Sequence, residues 1–197
     1  MLVMGHAGIT LGAAVLLDRV VPGGPAPFSQ PTSPTDRERP PWVSRIDLRF
    51  LVLGSLLPDI IDKPIGLVIF RDTFSSGRIF SHTLLFLSLM ALAGFWLFRR
   101  RAKTWLLVLS FGTCIHLILD QMWLERRTLL WPLYGLEFGR IDVTQVVHHW
   151  FDGLLTDPAV YVPEIVGAGI LLWFLLLLVR RRSVYDFVRK GRIARTC

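Results

Sequence analysis

The sequence predicts an all-α protein: a polytopic membrane helical bundle with about five hydrophobic segments and with metal-site residues clustered at one membrane face. Hydrophobic residues make up 52% of the 197 residues and the mean hydropathy is +0.50, above the average for soluble proteins. They occur in blocks long enough for membrane helices. The basic residues cluster at the ends of these blocks, as is typical of membrane proteins. The net charge of +7 therefore does not indicate nucleic-acid binding, and we expect no direct nucleic-acid partner.

The first half of the chain follows this pattern within one predicted domain, residues 1–197. The first segment, residues 1–17, is apolar except for His6 and Thr10. Residues 21–45 are rich in Pro, Gly, Ser and Thr, which predicts a polar loop. The second segment, residues 46–57, ends at Pro58, so we expect a helix that breaks there and resumes over residues 64–70.

The second half alternates helices with polar connections, and Ser81 is the predicted N-cap of the third helix. Aromatic residues between the fourth and fifth segments are typical of a membrane interface. The predicted elements are, in order, a polar turn (71–80), the third helix (82–98), a basic loop (99–103), the fourth helix (104–120), an interfacial stretch (124–144), an amphipathic helix (143–155), the fifth segment (164–179) and a basic cytoplasmic tail (180–197).

The distribution of Lys and Arg predicts the orientation. If the basic loop at 99–103 is cytoplasmic, alternation outward from it leaves 16 of the 22 Lys and Arg residues on the cytoplasmic side. This satisfies the positive-inside rule and predicts an outer N-terminus and a cytoplasmic C-terminus. The same alternation places the His and Asp residues that lie in or beside the apolar segments on the outer side. The count of Lys and Arg did not use these residues.

These His and Asp residues are the candidate metal ligands. Carboxylates beside a membrane-grade apolar run are costly unless a cation or a metal holds them. A mixture of imidazole and carboxylate suits zinc and related divalent ions. We predict two or three ions, with zinc expected and manganese also possible, held by His6, Asp59, Asp62, His82, His116, Asp120, His148 and Asp152.

Each candidate taken alone has a simpler explanation. His116 and Asp120 lie one helical turn apart and can satisfy each other with a hydrogen bond. Asp59 and Asp62 follow a proline and can cap a helix N-terminus. The simpler explanations for the remaining candidates are a polar surface for His148 and Asp152, an interfacial position for His82 and a core position for His6, while His149 could be the ligand in place of His148.

Three motifs make the chain resemble a known family. They are Gly54-Ser-Leu-Leu-Pro-Asp-Ile-Ile-Asp62, Arg78-Ile-Phe-Ser-His82 and His116-Leu-Ile-Leu-Asp120. With them the chain resembles the YdjM-like group of LexA-regulated inner-membrane, metal-dependent hydrolases, from His6 to about Pro132. The resemblance implies a membrane-bound hydrolase.

A more distant similarity is to zinc-dependent phospholipase C and the related single-strand nucleases. The order His6, Asp59, His82, His116–Asp120 and His148–Asp152 is similar to the order of zinc ligands in those enzymes. The chain departs from them at the amino-terminal ligand, which would be Met1, and lacks the histidine expected soon after Asp120. One of the three metal positions of those enzymes therefore lacks its ligands, and the resemblance implies a dinuclear site.

Together the residues and the resemblance lead to the hypothesis of a hydrolase. It would cleave a phosphoester or other ester in a lipid or lipid-linked substrate with metal-activated water. The candidate catalytic residues are Asp59, Asp62 and Arg78, with Asp62 as ligand or general base and Arg78 as a phosphate-binding group.

Two non-enzymatic hypotheses compete with the hydrolase. One is a metal-binding or ion-translocating membrane protein, which needs polar residues through the membrane depth. The inner halves of the last three segments are almost wholly apolar, and this favours the enzyme. The second is a structural adaptor whose basic tail binds anionic lipid.

Overall fold

A computed structural model describes residues 2–20, 46–142 and 152–191, and within these ranges every regular element is helical. The predicted all-α class is confirmed. A π-helical turn, Ile65–Ile69, continues the second helix, and a 3-10 turn, Phe80–His82, precedes the fourth. The helices are α1 (Val3–Val20), α2 (Leu48–Pro64), α3 (Arg71–Phe74), α4 (Leu84–Arg101), α5 (Trp105–Leu119), α6 (Arg126–Leu129), α7 (Pro158–Arg180) and α8 (Val184–Lys190).

One helix of the described chain, α7, is long and apolar enough to span a bilayer. It has 23 residues, and only 22% of its most apolar window is buried, so most of its apolar surface faces outward. The apolar helices over Val3–Leu16 and Trp105–Leu119 are shorter. Helix α4 has 18 residues, of which the last three are arginines. The prediction of five membrane spans is therefore not confirmed.

Glycines bring the main helices into close contact in two places. A Cβ atom on Gly54 of α2 would overlap the carbonyl oxygen of Leu109 in α5, and Gly112 of α5 lies as close to the α2 backbone. Gly8 of α1 and Gly167 of α7 meet in the same way. Small residues of this kind are how membrane helices achieve dense packing. Since α1 also contacts α2 and α5, these four helices form one bundle.

The bundle is apolar at one end and polar at the other. The apolar core takes residues from the later part of α1 and α7 and from the early part of α2 and α5. Its members are Leu11, Ala14, Leu48, Leu51, Val108, Phe174 and Leu178. The opposite end is formed by the start of α1 and the ends of α2 and α5, and it holds the buried histidines.

The predicted helix break at Pro58 is wrong, because α2 continues through it to Pro64. Proline has no N–H, so the carbonyl of Gly54 loses its partner within the helix. The Thr113 hydroxyl of α5 donates to that carbonyl at 3.1 Å. Because the neighbouring helix satisfies the freed carbonyl, α2 does not have to end, and Asp59 lies inside it.

Two other predicted helix starts are also wrong. The N-cap of α4 is Thr83, whose hydroxyl accepts the N–H of Phe86 at 3.0 Å, whereas the Ser81 hydroxyl donates to the carbonyl of Pro58. Helix α7 begins at Pro158, with Asp157 as its N-cap. The predicted polar loop at 21–45, most of the amphipathic helix at 143–155 and the last six residues of the basic tail lie outside the described residues.

Candidate metal centre

Six of the predicted metal ligands meet at the polar end of the bundle. Each of two overlapping groups offers one ligand atom per residue, all within 4.8 Å of one another. His116 belongs to both. The groups are His6, His116 and Asp120, and Asp59, His82 and His116. Asp62 is in contact with His82 but belongs to neither group.

His116 lies in the last turn of α5, with its ring oriented by α2. Its Nδ1 atom is 2.6 Å from the carbonyl oxygen of Ser55. A carbonyl can only accept, so Nδ1 must carry the proton and donate it. The Nε2 atom is left with a free lone pair directed at the cluster, which is the arrangement that metal-binding histidines have.

His82 is prepared in the same way by a carboxylate. Its Nδ1 atom is 2.7 Å from Oδ2 of Asp62, and both side chains are fully buried. A carboxylate can only accept, so Nδ1 carries a proton, and Nε2 is the ring nitrogen that faces the cluster. That Nε2 atom lies 3.2 Å from Nε2 of His116. The separation is close to the ~3.3 Å expected between ligand atoms of a tetrahedral zinc site.

Asp62 holds the segment that carries His82. Its carboxylate accepts the backbone N–H groups of Ile79 at 2.7 Å, Ser81 at 3.1 Å and His82 at 3.3 Å. The explanation of Asp62 as a cap for a helix N-terminus is wrong, because Asp62 lies in the last turn of α2 and binds the loop beyond it. With these donors and the His82 ring around it, the geometry gives Asp62 a positioning role.

Asp59 and Lys63 lie one turn apart on α2, at the base of a cleft. Oδ1 of Asp59 is 3.7 Å from Nε2 of His82, and Oδ2 is 2.6 Å from Nζ of Lys63. The lysine offsets one carboxylate charge in a crowded acidic site. Asp59 also lies within α2 and far from its N-terminus, so the capping explanation is wrong for it as well.

Asp120, just after α5, connects the cluster to Arg78. Its Oδ1 atom is 3.1 Å from Nε2 of His6, while Nε and Nη2 of Arg78 lie 3.0 and 2.9 Å from Oδ2. The Arg78 side chain is 41% exposed and the Asp120 side chain 5%. Arg78 can therefore hold Asp120 in place while presenting positive charge to the cleft.

His6 is the residue whose surroundings most need a further partner. It is fully buried, and its ring stacks on that of His116 with 4.1 Å between centroids. Its Nδ1 atom has no hydrogen-bond partner in the described part of the protein, and the one partner of Nε2 there is Oδ1 of Asp120 at 3.1 Å. A core histidine would be expected to be satisfied. The cluster thus fits a bound cation better than it fits a closed hydrogen-bond network.

The family model for the YdjM inner membrane protein matches residues 1–187. The chain belongs to the YdjM inner membrane protein family. The match includes every residue of the cluster and extends beyond the region of the three motifs. No curated protein and no solved structure gives a significant match. The similarity to phospholipase C and the nucleases therefore has no support from these comparisons.

The cleft above the cluster is open to solvent and has a volume of about 680 Å³. Its floor includes Asp59, Arg78 and Asp120, and Arg140 lies on its wall. Asp152, predicted as a ligand, is exposed, lines the same cleft and belongs to neither ligand group. The predicted ligand His148 and the neighbouring His149 lie outside the described residues.

Two positioning residues were missed by reasoning from the sequence. Ser55 orients His116 through its backbone, which no side-chain pattern can reveal. Glu164 of α7 is buried, and its carboxylate accepts the N–H of Leu2 at 2.6 Å and of Gly5 at 3.0 Å. It thereby holds the start of α1 and so the position of His6. A lone carboxylate inside a long apolar helix was the available signal.

Proposed function

We propose that this member of the YdjM family is a membrane-bound, metal-dependent hydrolase that cleaves a phosphoester in a lipid or lipid-linked substrate. One observation carries the proposal: the Nε2 atoms of His82 and His116, on rings whose Nδ1 atoms each face an acceptor, lie 3.2 Å apart next to a charged cleft that Asp59 and Asp120 line. A divalent ion bound by both nitrogens would have Asp59 within reach as a third ligand.

The cluster has enough ligands for two ions. Both ligand groups contain His116, but its free Nε2 atom can bind one ion and not two. The other four residues would therefore be shared between two neighbouring ions. We propose zinc or manganese at these positions, because both accept imidazole and carboxylate ligands. The residues that would hold them are His6, Asp59, His82, His116 and Asp120.

A bound divalent ion would supply a water acidified enough to act as nucleophile at neutral pH. Side chains of the protein would bind the substrate and position the metal ligands. Arg78 would bind the phosphate of the substrate, because its guanidinium faces the cleft and matches phosphate oxygens. Asp62 keeps His82 in the tautomer that can bind a metal. Asp62 is not suited to be the general base, since its oxygens are buried and occupied by four donors.

The position of the cluster favours an enzyme over an ion-translocating protein. Translocation needs polar groups along the whole path. Among the described residues, the part of the bundle below the cluster is the apolar core around Leu11, Leu51 and Phe174. A polar site at one end of an apolar bundle suits chemistry on a headgroup at the membrane surface.

We also propose that α1, α2, α4 and α5 enter the membrane beside α7, with the cluster on the outer side and the C-terminus in the cytoplasm. The exposed apolar side chains of α4 support this, among them Leu89, Leu92, Phe95 and Trp96, each more than half exposed. Reporter fusions test it: alkaline phosphatase after residue 142 should be active, and after residue 191 inactive. The reverse result would overturn the orientation.

The hydrolase proposal is tested by metal content and activity together. Elemental analysis of the detergent-purified protein should find stoichiometric zinc or manganese, lost in His116→Ala/Asp120→Ala. Asp152→Ala is the matched control, because it removes a carboxylate from the same cleft outside both ligand groups. The metal-loaded protein should hydrolyse a phosphodiester, and the double variant should not. No stoichiometric metal in the wild type would overturn the proposal.

A further inference from the structure

An open apolar groove of about 830 Å³ lies beside the metal cleft. Its volume is within the range of about 300–1,000 Å³ that ligand sites occupy. The start of α1, the first half of α7 and the residues just before α7 form it. Its principal lining residues are Leu2, Leu155, Tyr161, Glu164, Ile165 and Ala168, and the Glu164 carboxylate accepts the N–H groups of Leu2 and Gly5.

The groove is continuous with the cleft. Leu2 lines both, and the segment from residue 152 to residue 161 contributes to each. Residues 152 and 153 face the cleft, whereas residues 154 and 155 face the groove. In α7, Val160 lines the cleft and Tyr161 the groove. A single ligand can therefore occupy a charged compartment and an apolar one at once.

The apolar surface of the groove is exposed to an unusual degree. Leu155 is 78% exposed, Ile165 66% and Val3 54%. Ile165 belongs to α7, the described helix that can span a membrane; Leu155 lies just before it, and Val3 begins α1, which packs against it. Apolar surface of this extent beside a membrane helix is suited to a hydrocarbon chain.

We propose that the groove holds one hydrocarbon chain of the lipid phosphoester whose headgroup occupies the cleft. A lipid whose headgroup moves into the cleft would expose part of its chain to water unless protein covers it. The groove gives that part an apolar surface between the bilayer and the cluster. This inference rests on the proposed function and deepens it. It predicts that the substrate is an amphiphile whose phosphate lies close to its hydrocarbon chain.

Photocrosslinking with the metal-free protein in detergent micelles tests the groove without depending on activity. One probe is phosphatidylglycerol with a diazirine in one acyl chain, and the other is diacylglycerol with the same chain. Peptide mass spectrometry then locates the label. We expect the phosphatidylglycerol probe to label residues 154–168 several times more than diacylglycerol does, because only its phosphate can engage Arg78.

A groove-filling variant provides the second arm. Ala168→Phe should reduce the labelling by about tenfold, because the larger ring occupies the space of the chain. Val166→Phe is the matched control: Val166 is an exposed residue of the same helix outside the groove and should leave labelling unchanged. Thermal unfolding checks that both variants are folded.

The outcomes separate the groove from the proposed function. Equal labelling by the two probes would mean ordinary contact with bulk lipid and would overturn the inference, as would full labelling of a folded Ala168→Phe variant. If the metal-loaded protein hydrolyses a water-soluble phosphodiester while the groove stays unlabelled, the groove inference alone fails. If the groove is selectively labelled but no phosphoester is hydrolysed, the hydrolase proposal fails and the lipid site stands.

Discussion

The substitution Asp62→Asn separates a metal ligand from a residue that positions one. The sequence predicts Asp62 as ligand or general base, whereas the structure surrounds its carboxylate with N–H donors from Ile79, Ser81 and His82. Asparagine has nearly the same shape but replaces one acceptor oxygen with an NH₂ group. That group must face either a backbone N–H or the Nδ1 atom of His82, and both are donors.

The expected magnitudes follow from these contacts. Hydrogen bonds to a charged group contribute about 1.5–3 kcal/mol each, and the asparagine keeps one acceptor oxygen, so we expect a loss of about 2–3 kcal/mol in the free energy of unfolding. The Nδ1 proton of His82 loses its anionic partner, which weakens the preference for the tautomer that binds metal. Removal of such a partner carboxylate costs about 10–100-fold in metal affinity.

The assay is a chelator competition for zinc together with thermal unfolding of the metal-free protein in detergent. Asp59→Asn is the matched comparison, because Asp59 lies one turn earlier on α2 and belongs to a ligand group. We expect Asp59→Asn to lower metal binding with little change in the unfolding temperature of the metal-free protein, and Asp62→Asn to lower both. An Asp62→Asn protein with unchanged unfolding temperature and no bound metal would refute the positioning role and restore Asp62 as a ligand.

Three further predictions concern the frame around the cluster. Glu164→Gln should lower the free energy of unfolding by about 1–2 kcal/mol and weaken metal binding, because the N–H groups at the start of α1 lose a charged acceptor; unchanged zinc affinity would contradict the link to His6. Gly54→Val should abolish folded protein in a detergent expression screen, because a side chain there overlaps the α5 backbone, whereas Gly169→Ala should be tolerated since nothing lies within 4 Å of the added Cβ. Thr113→Val should cost about 1 kcal/mol, and less in a Pro58→Ala background, where the Gly54 carbonyl regains its helical partner. Equal costs in both backgrounds, measured by urea or thermal unfolding, would show that the two residues are not coupled.

Much of the fold could be predicted because it depends on local patterns. The apolar blocks predict α1, α5 and α7, since burial or lipid contact requires a continuous run of apolar residues. The four-residue spacing of His116 and Asp120 places both at the same end of α5. The number of membrane spans could not be predicted in the same way. A short apolar helix has the same composition whether it faces lipid or protein.

The sequence by itself determines the helical class, the apolar character and the set of imidazole and carboxylate groups that converge at one end. The division of roles within that set is decided by the tertiary structure. Asp59 and Asp62 lie one helical turn apart on α2, yet the loop that carries His82 docks on Asp62 and leaves Asp59 facing the cleft. Likewise α2 continues through Pro58 because a hydroxyl of α5 satisfies the freed carbonyl. Such hydrogen bonds join residues far apart in the chain and leave no periodic pattern in the sequence.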